Sequence, residues 1–304
     1  MTMNTLETTQ RFLGLIRFSH TLFALPFALT AGVLVWGLHG FSWIQLLGIV
    51  VCLGLARAAA MAFNRLVDRD IDAANPRTAS RHLPAGLLGT KAVVLFFVIT
   101  STGFVAGTAL FLLEGNSVPL IMSIPTLAWI CGYSYAKRFT AMAHFWLGAA
   151  LMLAPAASWV VALGWGVLEE PWIPLLLGLS VFFWVSGFDM IYATQDIEYD
   201  RSVGLRSVPA YLGLRGALVA SRFCHAATVL CLAPLPWLAP GLLGPIYMVG
   251  LGAVAVLLVI EHALVRPDDL SRVNQAFFQV NAIISVGLFF IVLTDVAWHL
   301  HSSV

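Results

Sequence analysis

Charge is what this sequence has least of. Only 10% of its 304 residues are Asp, Glu, Lys or Arg, 60% are apolar, and the mean hydropathy is +0.90. That balance excludes an ordinary soluble globular domain, where about a quarter of residues are charged. Cysteine is also scarce. Cys52, Cys131, Cys224 and Cys231 all fall in apolar stretches without CxxC spacing, which excludes a disulfide framework or a thiolate metal cluster. No low-complexity tract, separate linker or amphipathic tail is evident. Met1 to Arg17 is too polar for a cleavable signal peptide, so the first apolar helix is expected to act as the targeting signal. A net charge of +1 gives no reason to expect a nucleic-acid partner, and nothing points to an obligate protein partner.

What the chain has in abundance is long apolar runs. A helix needs about 20 such residues to cross a bilayer core. Nine runs qualify, near 19–38, 43–63, 92–113, 117–135, 142–164, 171–192, 217–236, 240–261 and 275–298. The expectation is an all-α membrane protein, one domain over 1–304, with nine transmembrane helices in one bundle whose backbone groups are satisfied within each helix. Lys and Arg precede the first run and fill the second, fourth, sixth and eighth connections, and neither lies in the odd connections or at the C-terminus. By the positive-inside rule the N-terminus and the even connections are cytoplasmic. Only Arg57 lies well inside a predicted span.

The scarce charge is also concentrated. "NRLVDRDIDAANPRTASRHLPAG", residues 64–86, gathers three aspartates and four arginines. Read as a continuation of the second helix, it places Asn64, Asp68 and Asp72 on one face, since four residues turn a helix by only about 40° and rise about 6 Å. The sixth helix ends similarly, with Asp189, Tyr192, Asp196 and Asp200 on one face. The acids at 64–72 and 192–200 form a pseudo-repeat, Asp196 and Asp200 following Asp68 and Asp72 at a constant spacing. A lone DxxxD is ordinarily a solvated helix end carrying surface ion pairs. Two copies, each followed by a basic Gly/Pro-containing loop, favour a binding site. Oxygen donors of this kind suit Mg²⁺, which keeps several waters and is completed by substrate phosphates. Nearby arginines would neutralise the rest of a diphosphate's charge.

These residues resemble the UbiA superfamily of intramembrane aromatic prenyltransferases, and the likeness covers nearly the whole chain. It rests on "RAAAMAFNRLVDRDID", with Arg57 seven residues before Asn64, on "YATQDIEYD", on "YSYAKRFT" at 133–140, and on "IRFSHTLFALPFAL". One departure is Arg65, which stands where the family's commonest NDxxD motif has an acid, so the first metal site would be leaner. The variant most resembles a bacterial branch of 4-hydroxybenzoate polyprenyltransferase-like and futalosine-route menaquinone prenyltransferases.

The resemblance implies a UbiA-like fold with two cytoplasmic cap loops. It implies Mg²⁺ held by Asp68, Asp72, Asp196 and Asp200 with Asn64 assisting, and a polyprenyl diphosphate contacted by Arg17, Arg77, Lys137, Arg138 and Arg206. The C–O bond would break toward an allylic cation that Tyr133 and Tyr192 stabilise through their π faces, and a phenolic ring carbon would attack it. The implied setting is quinone biosynthesis in a bacterial inner membrane, with the site open to the cytoplasm and the prenyl tail among apolar side chains or lipid. The acceptor would be 4-hydroxybenzoate or 1,4-dihydroxy-6-naphthoate, and the residues do not separate the two.

A charge inside a span ordinarily faces a cavity or a partner. Arg57 is therefore read as holding the acceptor's carboxylate or shaping the pocket floor, with a structural ion pair to Asp189 as the alternative; Asp189 could also orient the acceptor's hydroxyl or steady the cation. His20 is read as an interfacial residue, with diphosphate contact or proton transfer as the alternatives. His39, His144, His299 and His301 form no metal-like grouping. Haem or homogentisate prenylation, a transporter, and a non-catalytic scaffold are the competing functions. Transport would need charges near the midplane, whereas these gather at one surface.

Overall fold

In lipid an apolar chain can satisfy its backbone within a single segment only as a helix. The computed structural model describes residues 5–17, 21–266 and 268–302, and every long element among them is helical. The helices are α1 (Thr5–Leu15), α2 (Thr21–His39), α3 (Trp43–Val67), α4 (Arg69–Ala74), α5 (Thr90–Thr108) and α6 (Val118–Gly132). Next come α7 (Ala136–Phe139), α8 (Ala143–Leu163), α9 (Trp172–Ala193), α10 (Ile197–Ser202) and α11 (Val208–Leu232). The last are α12 (Leu235–Leu238), α13 (Pro245–Leu264), α14 (Val273–Gln275) and α15 (Asn281–Ser302).

Among the described residues, eight helices are long and apolar enough to cross a membrane: α3, α5, α6, α8, α9, α11, α13 and α15, with the short turns that extend them. The predicted first span corresponds to α2, which is apolar but shorter over its described length, so eight spans are counted where the sequence predicts nine. The polar N-terminal stretch is itself helical. α1 packs inward through buried Leu15 and through Phe12, whose ring stacks on Phe96 at 4.8 Å.

α9 is the most deeply buried span. It lies between α8 and α11, while α3 packs on α5, α2 on α8 and α15, and α13 on α15. Leu95, Ile99, Ile124, Phe223, Leu230 and Val249 point outward and are exposed. In water this would be an untenable apolar surface; in lipid it is the required one. Exposed Trp43, Trp165, Trp172, Trp237 and Trp298 flank the odd connections and the C-terminal end, an aromatic girdle opposite the charged loops.

Lipid gives helices no hydrophobic reason to associate, so close approach and buried hydrogen bonds specify the packing. Gly148 lets α8 press on α9, since a Cβ there would come within 2.4 Å of the Phe182 carbonyl oxygen. Asn281 of α15 donates to Glu261 of α13 at 2.9 Å and accepts from the Trp184 indole of α9 at 2.6 Å, all three fully buried. Asp295, also fully buried, accepts from the backbone N–H groups of Gly244 (2.6 Å) and Tyr247 (2.9 Å), capping the start of α13.

The structure corrects one expectation at the site. The acidic stretches do not continue their helices unbroken. α3 stops at Val67 and α4 restarts at Arg69, with Asp68 between them at φ −92°, ψ 5°. α9 stops at Ala193, a 3₁₀ turn runs through Thr194–Asp196, and α10 follows, with Asp196 at φ −105°, ψ 6°. Both acids thus sit in the sparsely populated bridge region where many active-site residues are found.

Candidate functional site

These two breaks turn their acids toward a cavity of about 620 Å³ between α3, α6, α8 and α9. Asn64, Asp68 and Asp72 line it on one side and Tyr192, Asp196 and Asp200 on the other, with Arg17, Arg77, Lys137 and Arg138 beside them. Below this polar rim the walls are apolar, with Leu53, Met122, Leu147, Leu151 and Phe188 among them, and Arg57, Tyr133 and Asp189 complete the lining.

Each acid holds a cation. Arg81 Nη1 donates to both oxygens of Asp72 at 2.7 and 2.9 Å, and buried Arg65 approaches the same carboxylate at 3.5 Å. Arg77 leaves the loop after the first acidic turn and crosses to the second. Its Nε donates to Asp196 at 2.8 Å and its Nη1 to the Tyr192 hydroxyl at 3.0 Å. Asn75 donates to Asp196 from the same loop at 3.2 Å. The adjacent cations of α7 diverge: Lys137 lies 4.0 Å from Asp200 on one side, and Arg138 lies 3.3 Å from Asp68 on the other.

Burial, followed by the Asp72 charge, raises the Asp68 pKa despite Arg138. For Arg77 burial opposes the charge, but the bonds to Asp196 and Tyr192 outweigh it and hold the pKa above the ordinary arginine value.

The deeper residues pair differently. Among the described residues no carboxylate lies within ion-pairing distance of Arg57, and its buried Nε has no hydrogen-bond partner. The alternative ion pair with Asp189 does not form. Asp189 Oδ2 instead meets Nδ1 of His144 at 2.6 Å. Arg57 is therefore a cation facing the cavity without a counter-ion.

Two sequence-derived candidates stand apart. Arg206 is exposed and does not line the cavity; its guanidinium donates to the Phe139 carbonyl at 2.7 Å and its backbone N–H to Lys137, bracing the α7 turn. His20 lies outside the described residues. Arg17, the last described residue before that gap, is the one described non-glycine residue with a positive φ, 45°.

No three His, Cys, Asp or Glu side chains among the described residues are grouped closely enough to hold a metal ion. The donor chemistry still fits Mg²⁺. The rim offers only hard oxygen ligands, from opposite sides, and Mg²⁺ requires few protein ligands when phosphate oxygens and water complete its shell.

Residues 24–284 match the UbiA prenyltransferase family. The chain belongs to that family. Two relatives named 4-hydroxybenzoate octaprenyltransferase come from Nitrosomonas europaea and Thiobacillus denitrificans. The first is 30% identical over 77% of each chain, the second 32% identical over 77% of this chain and 75% of its own. The apo structure of a UbiA homologue from Aeropyrum pernix superposes with a TM-score of 0.81 and 32% identity, over 91% of this chain and 98% of that one. A UbiA homologue from Archaeoglobus fulgidus, solved with DMAPP and Mg²⁺, shares the fold at TM-score 0.68 and 18% identity, over 93% of this chain and 99% of that one.

This UbiA-family prenyltransferase is an integral membrane enzyme, and its cavity contains residues that sequence reasoning did not single out. Phe277 is delivered by a π-helical turn at Ala276–Val280, a distortion frequent at functional sites. Its ring lies 4.3 Å from that of Tyr192 and lines the cavity. A phenylalanine in an apolar span gives no signal of this. Asn75 and Arg81 stand in the quoted charged stretch, where their direction across the turn is not readable. His144, which stands behind Asp189 and not in the cavity lining, has no motif at all.

Proposed function

We propose that the enzyme transfers a polyprenyl group from polyprenyl diphosphate to a phenolic aromatic acid, of the 4-hydroxybenzoate or 1,4-dihydroxy-6-naphthoate type, in ubiquinone or menaquinone biosynthesis. The observation that carries this reading is the cavity's polarity. Opposed carboxylates and cations form its rim, an apolar wall lies below, and at depth Arg57 faces the space with no counter-ion. A half-buried guanidinium whose Nε is buried without a partner is costly unless an anion meets it, and a carboxylate suits its fork of donors. Of the acceptor chemistries known for related folds, this favours an aromatic acid. The names of the relatives from N. europaea and T. denitrificans agree.

The residues divide the work by depth. Asp68, Asp72, Asp196 and Asp200, with Asn64, would hold Mg²⁺, which supplies charge neutralisation to a departing diphosphate. Arg17, Arg77, Lys137, Arg138 and, from outside the cavity, Arg206 supply further positive charge. As the C–O bond breaks, its electron pair leaves with the diphosphate, and the allylic fragment faces Tyr133, Tyr192 and the apolar wall, which exclude water. A ring carbon activated by the acceptor's hydroxyl gives its π pair to form the C–C bond, and loss of the ring proton restores aromaticity. The Lys and Arg of the even connections support a rim that opens to the cytoplasm, by the positive-inside rule, and the proposed setting is a bacterial inner membrane. The full nine-span, single-domain count belongs to the same reading.

The test is a mass-spectrometric prenylation assay on the purified protein in lipid, with a polyprenyl diphosphate and each acid in turn, with Mg²⁺ and with chelator. A Mg²⁺-dependent mass gain on one acid is expected. Diphosphate release without a gain on either would remove the acceptor assignment.

A further inference from the structure

Among the described carboxylates lining the cavity, Asp189 alone pairs with neither Lys nor Arg. His144, in the first turn of α8, is completely buried and does not line the cavity, yet its Nδ1 lies 2.6 Å from Asp189 Oδ2. Its other ring nitrogen, Nε2, is buried with no hydrogen-bond partner. A buried N–H left without an acceptor is penalised, whereas a neutral ring protonated on Nδ1 donates its only N–H to Asp189. The surroundings thus select one tautomer, and one carboxylate oxygen is already occupied.

The backbone holds this arrangement. Ser186, one turn before Asp189, donates to the carbonyls of His144 (3.3 Å) and Phe182 (2.7 Å), linking the start of α8 to α9. Gly148, one turn after His144, is where a Cβ would strike the Phe182 carbonyl and the Ser186 hydroxyl. The two helices approach closely here, which fixes the backbone positions of His144 and Asp189 relative to one another.

We propose that His144 is a positioning residue. By engaging Oδ2 it orients Asp189 so that Oδ1 accepts a hydrogen bond from the acceptor's phenolic hydroxyl, at the end of the ring opposite the carboxylate that Arg57 holds. This rests on the acceptor reading above. The pair would make the ring carbon beside the hydroxyl more nucleophilic and fix which carbon meets the allylic fragment. His144 acts through Asp189 and touches no reacting atom.

The test compares His144→Ala, His144→Gln, Asp189→Asn and the double variant His144→Ala/Asp189→Asn, all as full-length protein in lipid. Two quantities are read: affinity for the polyprenyl diphosphate, and kcat and KM for the acceptor acid. His144→Ala is expected to lower acceptor kcat/KM about tenfold or more, leaving donor affinity within about twofold. His144→Gln, which can still donate one N–H, should recover most of the loss. In the Asp189→Asn background, removal of His144 should cost little more. Equal loss of donor affinity and acceptor turnover in the Ala and Gln variants, additive losses in the double variant, or unchanged acceptor kinetics in His144→Ala would overturn the proposal. A wild-type enzyme that prenylates neither acid would overturn the acceptor reading and this inference together; donor binding retained in that case would locate the failure at the acceptor.

Discussion

The hydroxyl of Tyr199 donates to the backbone carbonyl of Ile71 at 2.8 Å, joining the two acidic turns directly. Tyr199 lies in α10 and Ile71 in α4, the short helices that restart after the breaks at Asp196 and Asp68. The bond sets the separation of the opposed carboxylates from one side of the rim, and Arg77 and Asn75 set it from another. Tyr199→Phe keeps the ring and removes only this bond. It should cost about 1 kcal/mol of stability and raise the KM for the diphosphate donor several-fold, with little change in the KM for the acceptor. Steady-state kinetics with each substrate varied in turn would check the split.

Asp68 and Asp196 occupy the same unusual backbone position in the two turns and face one another across the rim. Removing either leaves its side of the rim with a single aspartate, Asp72 or Asp200, which weakens the clamp on an anion and its counter-cations. Asp68→Ala and Asp196→Ala should each reduce turnover by about a hundred- to a thousandfold, the scale expected when one preorganised electrostatic group is lost. Both proteins should remain folded in the membrane, as judged by circular dichroism and detergent gel filtration. Wild-type rates in either would defeat the metal-site assignment.

Arg57 tests the other end of the cavity. Because it has no counter-ion among the described residues, Arg57→Ala leaves none of their carboxylates orphaned, and a loss of function reports directly on the missing cation. A charge-assisted hydrogen bond is worth about 1.5–3 kcal/mol, so the acceptor's KM should rise roughly ten- to hundredfold while donor binding changes little. An acceptor analogue without its carboxylate should lose the distinction between wild type and variant. Equal loss of donor affinity would identify a donor-binding or structural arginine.

Much of this site is legible in the sequence because charge in a membrane protein is rare, so Arg57 and the two acidic clusters stand out without any fold. Their spacing also assigns each acid to a helix end. What spacing cannot convey is the break at Asp68 and Asp196, since i, i+4 and i+8 fit an uninterrupted helix equally well. Nor does it show that Arg65 and Arg81 converge on Asp72, or that Arg77 crosses to the opposite turn. These are contacts made after the chain reverses. His144 and Phe277 are hidden for a different reason. A single histidine or phenylalanine in an apolar helix has the appearance of packing, and only the close approach at Gly148 and the π-helical turn at 276–280 give them a place at the site.

Asn281 supports a prediction about the bundle itself. Its amide bridges the Trp184 indole and the Glu261 carboxylate, so three spans meet at one side chain, and α9 is the span that carries Asp189, Tyr192 and Asp196. Single interhelical hydrogen bonds in membranes average only about 0.6 kcal/mol, because a separated helix can find other partners. Asn281→Leu differs in kind. It leaves a donor and a carboxylate oxygen unpartnered in positions that packing keeps dry, and each such orphan costs about 1–3 kcal/mol. The variant should lose roughly 2 kcal/mol or more, read as a lower unfolding temperature in detergent. Asn281→Asp should be less harmful if a shared proton restores the bridge to Glu261. If Asn281→Leu melts within a degree of wild type, the three-helix junction is not what holds α9 in place, and the register of Asp189 must come from α8 through His144, Ser186 and Gly148 alone.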